Sequence, residues 1–394
     1  MGPALEGIRV LDLSKRLAGP FASTILSDFG AEVIRVAPLN RAKEEPLTEP
    51  ILGQHNYYFT VNRNKKSILI NLKEKQGRDV FYNLVQNSNV VIDNFRPGVL
   101  ERLSIDFSTL SFINPKIICC SITGYGSTGP YALRPSYDGT IQALSGVMST
   151  TGEPGGRPLL AGVPIADLAA PLFAAHAILA AVFDAERTGK GQRIETSMLA
   201  SVISLLQVHA ANYFTTGEVP GLAGSGQNMF KGVVHYGVFQ TKDGYIFITA
   251  HRSFHNLCKA IGREDLITDS RFDTQAKRRQ GGEELNTIAQ EVIATRETKK
   301  WCEIFDQTDV PYAPINTIDE VFKDPQVVHL GVIETQEKLG QRIDIIRTPI
   351  KMPGVKKELE PAALPGENTE EILTKILGYS EATIDELRGN GINC

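Results

Sequence analysis

The 394-residue sequence predicts an α/β protein: a large doubly wound parallel-sheet (Rossmann-like) domain plus a smaller α+β domain. Three observations carry this reading. Over the first part of the chain, apolar runs of strand length alternate with helical patterns, the arrangement that builds parallel sheets. A chain of this length with 42% hydrophobic residues holds more core than one domain needs. Past a glycine-rich loop, the pattern changes to a strand pair with an Asp-Gly turn followed by helices.

In order, the strands are expected over 8–13, 32–36, 67–72, 89–93 and 116–122, with helices over 20–29, 74–86 and 98–110 between them. Doubly wound sheets bind ligands outside the carboxyl ends of their strands. The segments to inspect are therefore SKRLAGP after the first strand, NFRPG after the fourth and TGYGSTGPY after the fifth. No GxGxxG follows the first strand, so a dinucleotide site of the usual kind is not supported. Residues 37–57 are polar and contain proline, the pattern of a long loop.

The stretch RPLLAGVPIADLAAPLFAAHAILAAVF, residues 157–183, holds a single acid, Asp167. Proline fits a helix only in its first turn, so Pro171 places the helix start within 166–170, with Asp167 at or just before the N-terminus. From 172 to 183 apolar residues cover every side, which predicts a buried helix. TGKGQ then turns from this helix into a strand, and 197–214 continues as a helix. A hairpin turning at 242–244 follows, then helices over 253–260, 283–295, 298–307 and 318–322. The tail carries a capped pair of short helices, on the surface or folded back on the first domain. These punctuations divide the chain into a large domain, 1–216, completed by 325–394, and a small domain, 230–308. A linker with a glycine loop (217–229) and a proline-rich return linker (309–324) join them.

With 41 basic and 45 acidic residues the charge is nearly balanced, and neither a nucleic-acid nor a membrane partner is expected. The five cysteines show neither metal-ligand spacing nor a paired framework, and no metal site is read from them. The N-terminus runs straight into a strand without room for a secretory leader, and a cytoplasmic protein is expected. The apolar stretch after Leu159 approaches membrane-spanning length, but Asp167, His176, Pro164 and Pro171 favour a buried helix.

Two readings fit Asp167 taken alone. It caps the helix, as aspartates commonly do. Or it is a carboxylate nucleophile, held ionised by the helix end and backed by small residues that let a substrate approach.

The rest of the chain decides. LEGIRVLDLSKRLAGPFAS, DFGAEVIRV, NKKSILINL, VVIDNFRPGVLERL, SITGYGSTGPY, SYDGTIQALSGVMSTTG, ADLAAPLFAAHAILAAVFDAERTGKGQ and GENTEEILTKILGYS follow one another in that order. In content and order they resemble the class III CoA-transferases, the formyl-CoA transferase and carnitine CoA-transferase family. The resemblance covers nearly the whole chain. It implies an enzyme moving CoA from an acyl-CoA thioester to a small carboxylic acid, with Asp167 as nucleophile through aspartyl anhydride and aspartyl-CoA thioester intermediates. It further implies acyl-CoA as substrate with no tightly bound cofactor, and an interlocked homodimer in which each chain rings the other.

The resemblance places Ala18, Lys73, Asn94, Phe95, Arg96 and Arg102 at CoA-contacting positions, with Tyr137 and Asp138 flanking the thioester. A guanidinium suits phosphate, and Phe95 suits the pantetheine arm or adenine. AGSGQN resembles the family's substrate loop, with Gly224 and Gly226 letting backbone approach the intermediates. His176 reads as a core histidine. Leu17 stands where formyl-CoA transferases carry glutamine, which argues against oxalate as acceptor. The alternatives are a 2-methylacyl-CoA racemase of the same fold and a non-catalytic CoA-binding protein. The racemases place a histidine where this chain has Tyr137, and the retained Asp167 argues against lost catalysis.

Overall fold

A computed structural model describes residues 2–39, 51–55, 57–222, 224 and 236–393. The chain divides into two compact units. The first comprises Met1–Ser145, Gly162–Leu205 and Leu330–Cys394; the second comprises Gly146–Ala161 and Leu206–His329.

The first unit is built on six strands: β1 (Arg9–Asp12), β2 (Glu32–Ala37), β3 (Lys65–Leu69), β4 (Val90–Asp93), β5 (Ile118–Thr123) and β6 (Arg193–Ser197). They pair in the order β3-β2-β1-β4-β5-β6, every pairing parallel. β4 and β5 are buried at every position, as a sheet covered on both sides requires, and the polar residues Asp93, Ser121 and Thr123 lie toward their carboxyl ends. The helices that frame the site are α1 (Ala18–Asp28), α2 (Lys75–Gln86), α3 (Asp138–Ser145) and α4 (Ile165–Thr188). One core joins Leu11, Ile34, Ile68 and Phe81 to Ile372, Leu373, Ile384 and Leu387, so the tail helices fold back on this sheet.

The helix expected over 98–110 is two helices, Val99–Arg102 and Phe107–Ile113. Asp106 separates them because its carboxylate accepts from the amides of Ser108 and Thr109, starting a new helix instead of continuing the old one.

α4 also departs from expectation. It starts at Ile165, directly after Pro164, so Pro171 lies inside the helix and Asp167 is its third residue. Pro164 is the start signal. An interior proline removes one helical donor, here the one that would serve the carbonyl of Asp167. Nor is α4 buried all round. Ala170, Ala174 and Ala181 are buried, while Leu172 and Phe173 are exposed and Phe183 is 66% exposed. The small residues form a face that packs closely on α1 and on β5 and β6, and the large ones point away. By length and composition this helix is apolar enough to cross a membrane.

Residues 333–338 and 341–346 form a hairpin, β10 (Ile333–Lys338) with β11 (Gln341–Ile346), where the sequence suggested only a tail. Its two-residue turn places Leu339 at φ 49° and Gly340 at φ 73°, the left-handed pair that matches strand twist. Ile343 and Ile345 pack on Tyr58 and Phe59.

The second unit holds an antiparallel sheet, β7 (Tyr236–Gln240), β8 (Tyr245–Thr249) and β9 (Tyr312–Pro314). Its core gathers Ile246, Ile248, Trp301 and Phe305, with the Trp301 indole N–H donating to the Ile293 carbonyl at 2.7 Å.

Candidate active site

In this strand order, β1 and β4 are neighbours whose chains depart in opposite directions, and a crevice opens where they end. The loops that leave them are tied together. The Asn94 amide accepts from the Lys15 N–H at 2.9 Å and donates to the Lys15 carbonyl at 2.8 Å. At the end of β1, Asp12 is fully buried and accepts from the Ser14 amide at 2.9 Å, the Ser23 hydroxyl at 2.5 Å and Lys65 Nζ at 3.1 Å. Burial works against the charge of Lys65 and brings its pKa down to about 8, against the pull of Asp12.

A cavity of about 810 Å³ occupies the crevice. It brings together Lys73, Asn94, Phe95, Arg96, Arg102 and Tyr137, six of the residues singled out in the sequence. Lys15, Arg16 and Arg134 line it as well, and sequence reasoning missed them. The signal was present: Lys15 and Arg16 stand inside SKRLAGP, where attention fell on Ala18 instead. Ala18 is the buried first residue of α1 and does not line the cavity. Arg16 holds φ 67°, a costly backbone state for a non-glycine residue and one that clusters at functional sites. Lys15 Nζ lies 5.7 Å from the Phe95 ring centre, and the Arg134 guanidinium stacks 3.7 Å from that of Tyr131. The result is a basic cleft with an aromatic wall, suited to a long ligand carrying phosphates and an apolar arm.

The second half of the site begins one residue beyond the cavity. Tyr137 lines the cavity and is 72% exposed. The next residue, Asp138, opens α3, and its carboxylate reaches across to α4. One oxygen accepts from the Ala166 amide at 2.7 Å and the other from the Gln142 amide at 2.6 Å. Asp138 therefore caps α4 from a different element, the job that Asp167 would perform in the capping reading. Asp167 accepts no hydrogen bond from the described residues and stands free for chemistry. Its pKa rises from 3.8 to about 6, first through burial and then through the negative charge of Asp138. The sequence reading had the helix end holding this carboxyl ionised. In the structure desolvation and a like charge outweigh that effect, yet at about 6 the group is still mostly ionised at neutral pH.

Substituting Asp138 with asparagine keeps an oxygen for the Ala166 amide and removes the charge. The acid limb of the pH–rate profile is expected to move below its wild-type position near pH 6, read from kcat/KM between pH 4.5 and 8. An unmoved limb would remove Asp138 from the electrostatics of Asp167.

Gly224 belongs to the second unit. It holds φ 58°, and a Cβ there would meet Pro154 Cδ at 2.7 Å, so glycine is required on both counts. Gly226 lies outside the described residues.

The doubly wound sheet thus places a cationic cleft at its switch point, and Asp167, with its raised pKa, lies on α4. The chain belongs to CoA-transferase family III, whose family profile matches residues 5–370. It is 37% identical over 395 residues to a human succinyl-CoA:glutarate CoA-transferase, covering 98% of this chain and 89% of that one. A succinate–glutarate CoA-transferase of Agrobacterium fabrum is 36% identical over 394 residues, covering 95% of this chain and 96% of the other. Among solved structures, a CaiB/BaiF family protein from Brucella suis superposes with a TM-score of 0.86 at 32% identity, covering 95% of this chain and all of that one. The protein is thus a CoA-transferase acting between acyl-CoA and carboxylic acids, and the fold class read from the sequence is the one observed.

Proposed function

We propose that the chain transfers CoA between small dicarboxylic acids by covalent catalysis at Asp167. The single observation that carries the mechanism is the free carboxylate of Asp167, raised in pKa and joined to the cavity through Asp138 and Tyr137. The dicarboxylate reading draws on the two named relatives, whose names pair succinate with glutarate.

In the first step an Asp167 oxygen attacks the thioester carbonyl of the donor. The C–S bond breaks, leaving a mixed anhydride and CoA thiolate. The thiolate then attacks the Asp167 carbonyl carbon and expels the donor acid, forming an aspartyl-CoA thioester. The acceptor carboxylate attacks that carbon and releases thiolate again. The thiolate finally attacks the acceptor's acyl carbon and frees Asp167. Each step exchanges one anion for another, so no net proton and no co-reactant is required. A carboxylate raised to about 6 is more basic than an ordinary one while remaining mostly ionised at neutral pH. Holding the thiolate beside the anhydride is worth on the order of 7–11 kcal/mol of barrier. The cations of the cleft meet the phosphates of CoA.

The test is mass spectrometry of CoA esters formed from succinyl-CoA and a panel of dicarboxylic, hydroxy and aromatic acids. Transfer to glutarate-sized diacids supports the reading; transfer confined to aromatic or monocarboxylic acids would redirect it. A racemase would instead exchange the α-proton of a 2-methylacyl-CoA in deuterated water without any acid acceptor.

The working form in this reading is a cytoplasmic, interlocked homodimer. Leu172, Phe173 and Phe183 of α4 present apolar surface of the kind a second copy covers. Light scattering at nanomolar concentration is expected to report a dimer, with no folded monomer on dilution. A stable active monomer would contradict it.

A further inference from the structure

Asp93 ends β4 directly before the Asn94–Phe95–Arg96 loop, and the transfer chemistry does not use it. Its side chain is buried, with the residue 2% exposed. One carboxylate oxygen accepts from the Phe95 amide two residues on, at 3.0 Å, an Asx-type turn. The other accepts from the Ser121 hydroxyl at 2.6 Å, across the register pair that joins β4 to β5. Few other groups act on it. Arg193 on β6 favours its charge and Glu101, in the helix after the loop, opposes it. Cys119 and Cys120 on β5 are buried thiols pushed far above their usual pKa, and on β1 the carboxylate of Asp12 is already paired with Lys65.

The geometry points to Asp93 as a positioning residue for acyl-CoA. Its carboxylate holds the Phe95 amide and so sets how Phe95 and Arg96 enter the cavity. Burying a carboxyl at a strand end is costly without such partners, and a neutral side chain would fill the space at less expense. What the carboxylate adds is a charge-assisted bond to the one amide on which the loop turns. Burial brings Asp93 up to about 6, so the bond changes character near that pH. Above that pH the ionised group grips the amide. Below it the group carries a proton, Ser121 turns to accept, and the grip on Phe95 weakens.

The inference rests on reading the cavity as the CoA site, and the experiment separates the two. Binding of free CoA is measured by calorimetry from pH 5 to 8, which avoids the titration of Asp167 during turnover. Comparing variant with wild type at each pH cancels the titration of CoA's own phosphates. Asp93→Asn keeps an acceptor for the Phe95 amide without charge. It should bind CoA about threefold more weakly at pH 7.5 and match wild type at pH 5, with kcat at saturating acyl-CoA nearly unchanged. Ser121→Ala removes a bond that favours the ionised form, so the pH at which wild-type affinity declines should move upward. Asp93→Ala loses both bonds and should weaken CoA by about tenfold or more. As the reference arm, Arg102→Ala should weaken CoA about ten- to a hundredfold through loss of a phosphate partner. If Arg102→Ala leaves affinity intact, the cavity is not the CoA site and the inference falls with it. If Arg102→Ala has its effect but Asp93→Asn tracks wild type at every pH, Asp93 is a structural filler and the inference alone is overturned.

Discussion

Asp167→Asn is expected to reduce transfer by at least about a thousandfold while raising the melting temperature at pH 7.5. The first effect follows from the proposed mechanism, in which the Asp167 carboxylate forms the anhydride: the amide matches it in shape and leaves the cleft untouched but is not a competent nucleophile. The second follows from proton linkage. The folded carboxyl takes up its proton near 6, the free one near 3.8. Between those values the folded state binds more protons than the unfolded one. Wild-type stability therefore falls as pH rises from about 4 to about 6 and stays lower above it. The full difference is on the order of 3 kcal/mol. The asparagine variant has no such loss, so its advantage should be present at pH 7.5 and vanish near pH 4 in thermal melts. A variant that still turns over, or that melts below wild type at pH 7.5, would refute the picture of a desolvated nucleophilic carboxylate.

Asp12→Ala should destabilise the fold by about 3–5 kcal/mol, because it leaves the buried Lys65 without its charge partner. Lys65 already sits at about 8 with Asp12 present. Without the carboxylate its folded pKa drops further, and at pH 7 folding must strip a proton that the unfolded chain holds to 10.5. That cost shrinks as pH rises, so the deficit against wild type should be clearly smaller at pH 9 than at pH 7 in denaturant melts. The same change frees the Ser14 amide and the Ser23 hydroxyl, so CoA affinity should fall along with stability. A deficit independent of pH would mean that Lys65 does not carry the cost.

Much of this protein is legible in its sequence because the responsible forces are local. The strands read over 89–93 and 116–122 form as Val90–Asp93 and Ile118–Thr123, and the alternation with helices predicts the parallel sheet they join. The Asp-Gly turn between β7 and β8 is likewise visible in a few adjacent letters. The segments that line the cavity could be named from strand ends alone, because any doubly wound sheet binds ligands there.

What the sequence could not decide depends on groups that meet only after folding. Which residue caps α4 is settled only when Asp138, 29 residues before Asp167, is seen to accept from the Ala166 amide. The raised pKa of Asp167 comes from burial and from that same distant charge, and neither is written in the residues around it. Pro171 read as a helix start because proline in a helix interior costs a hydrogen bond; only the packing of α4 on α1 shows that the fold tolerates it. Arg16 was not singled out in the sequence, because its left-handed backbone conformation and its place on the cavity wall exist only in the folded chain. By itself, then, the sequence determined the sheet, its order of elements and the loops that bear the site, since periodicity and turn chemistry act over a few residues. The tertiary structure alone decided which carboxylate caps and which stands free, because burial and charge pairing act between residues far apart in the chain.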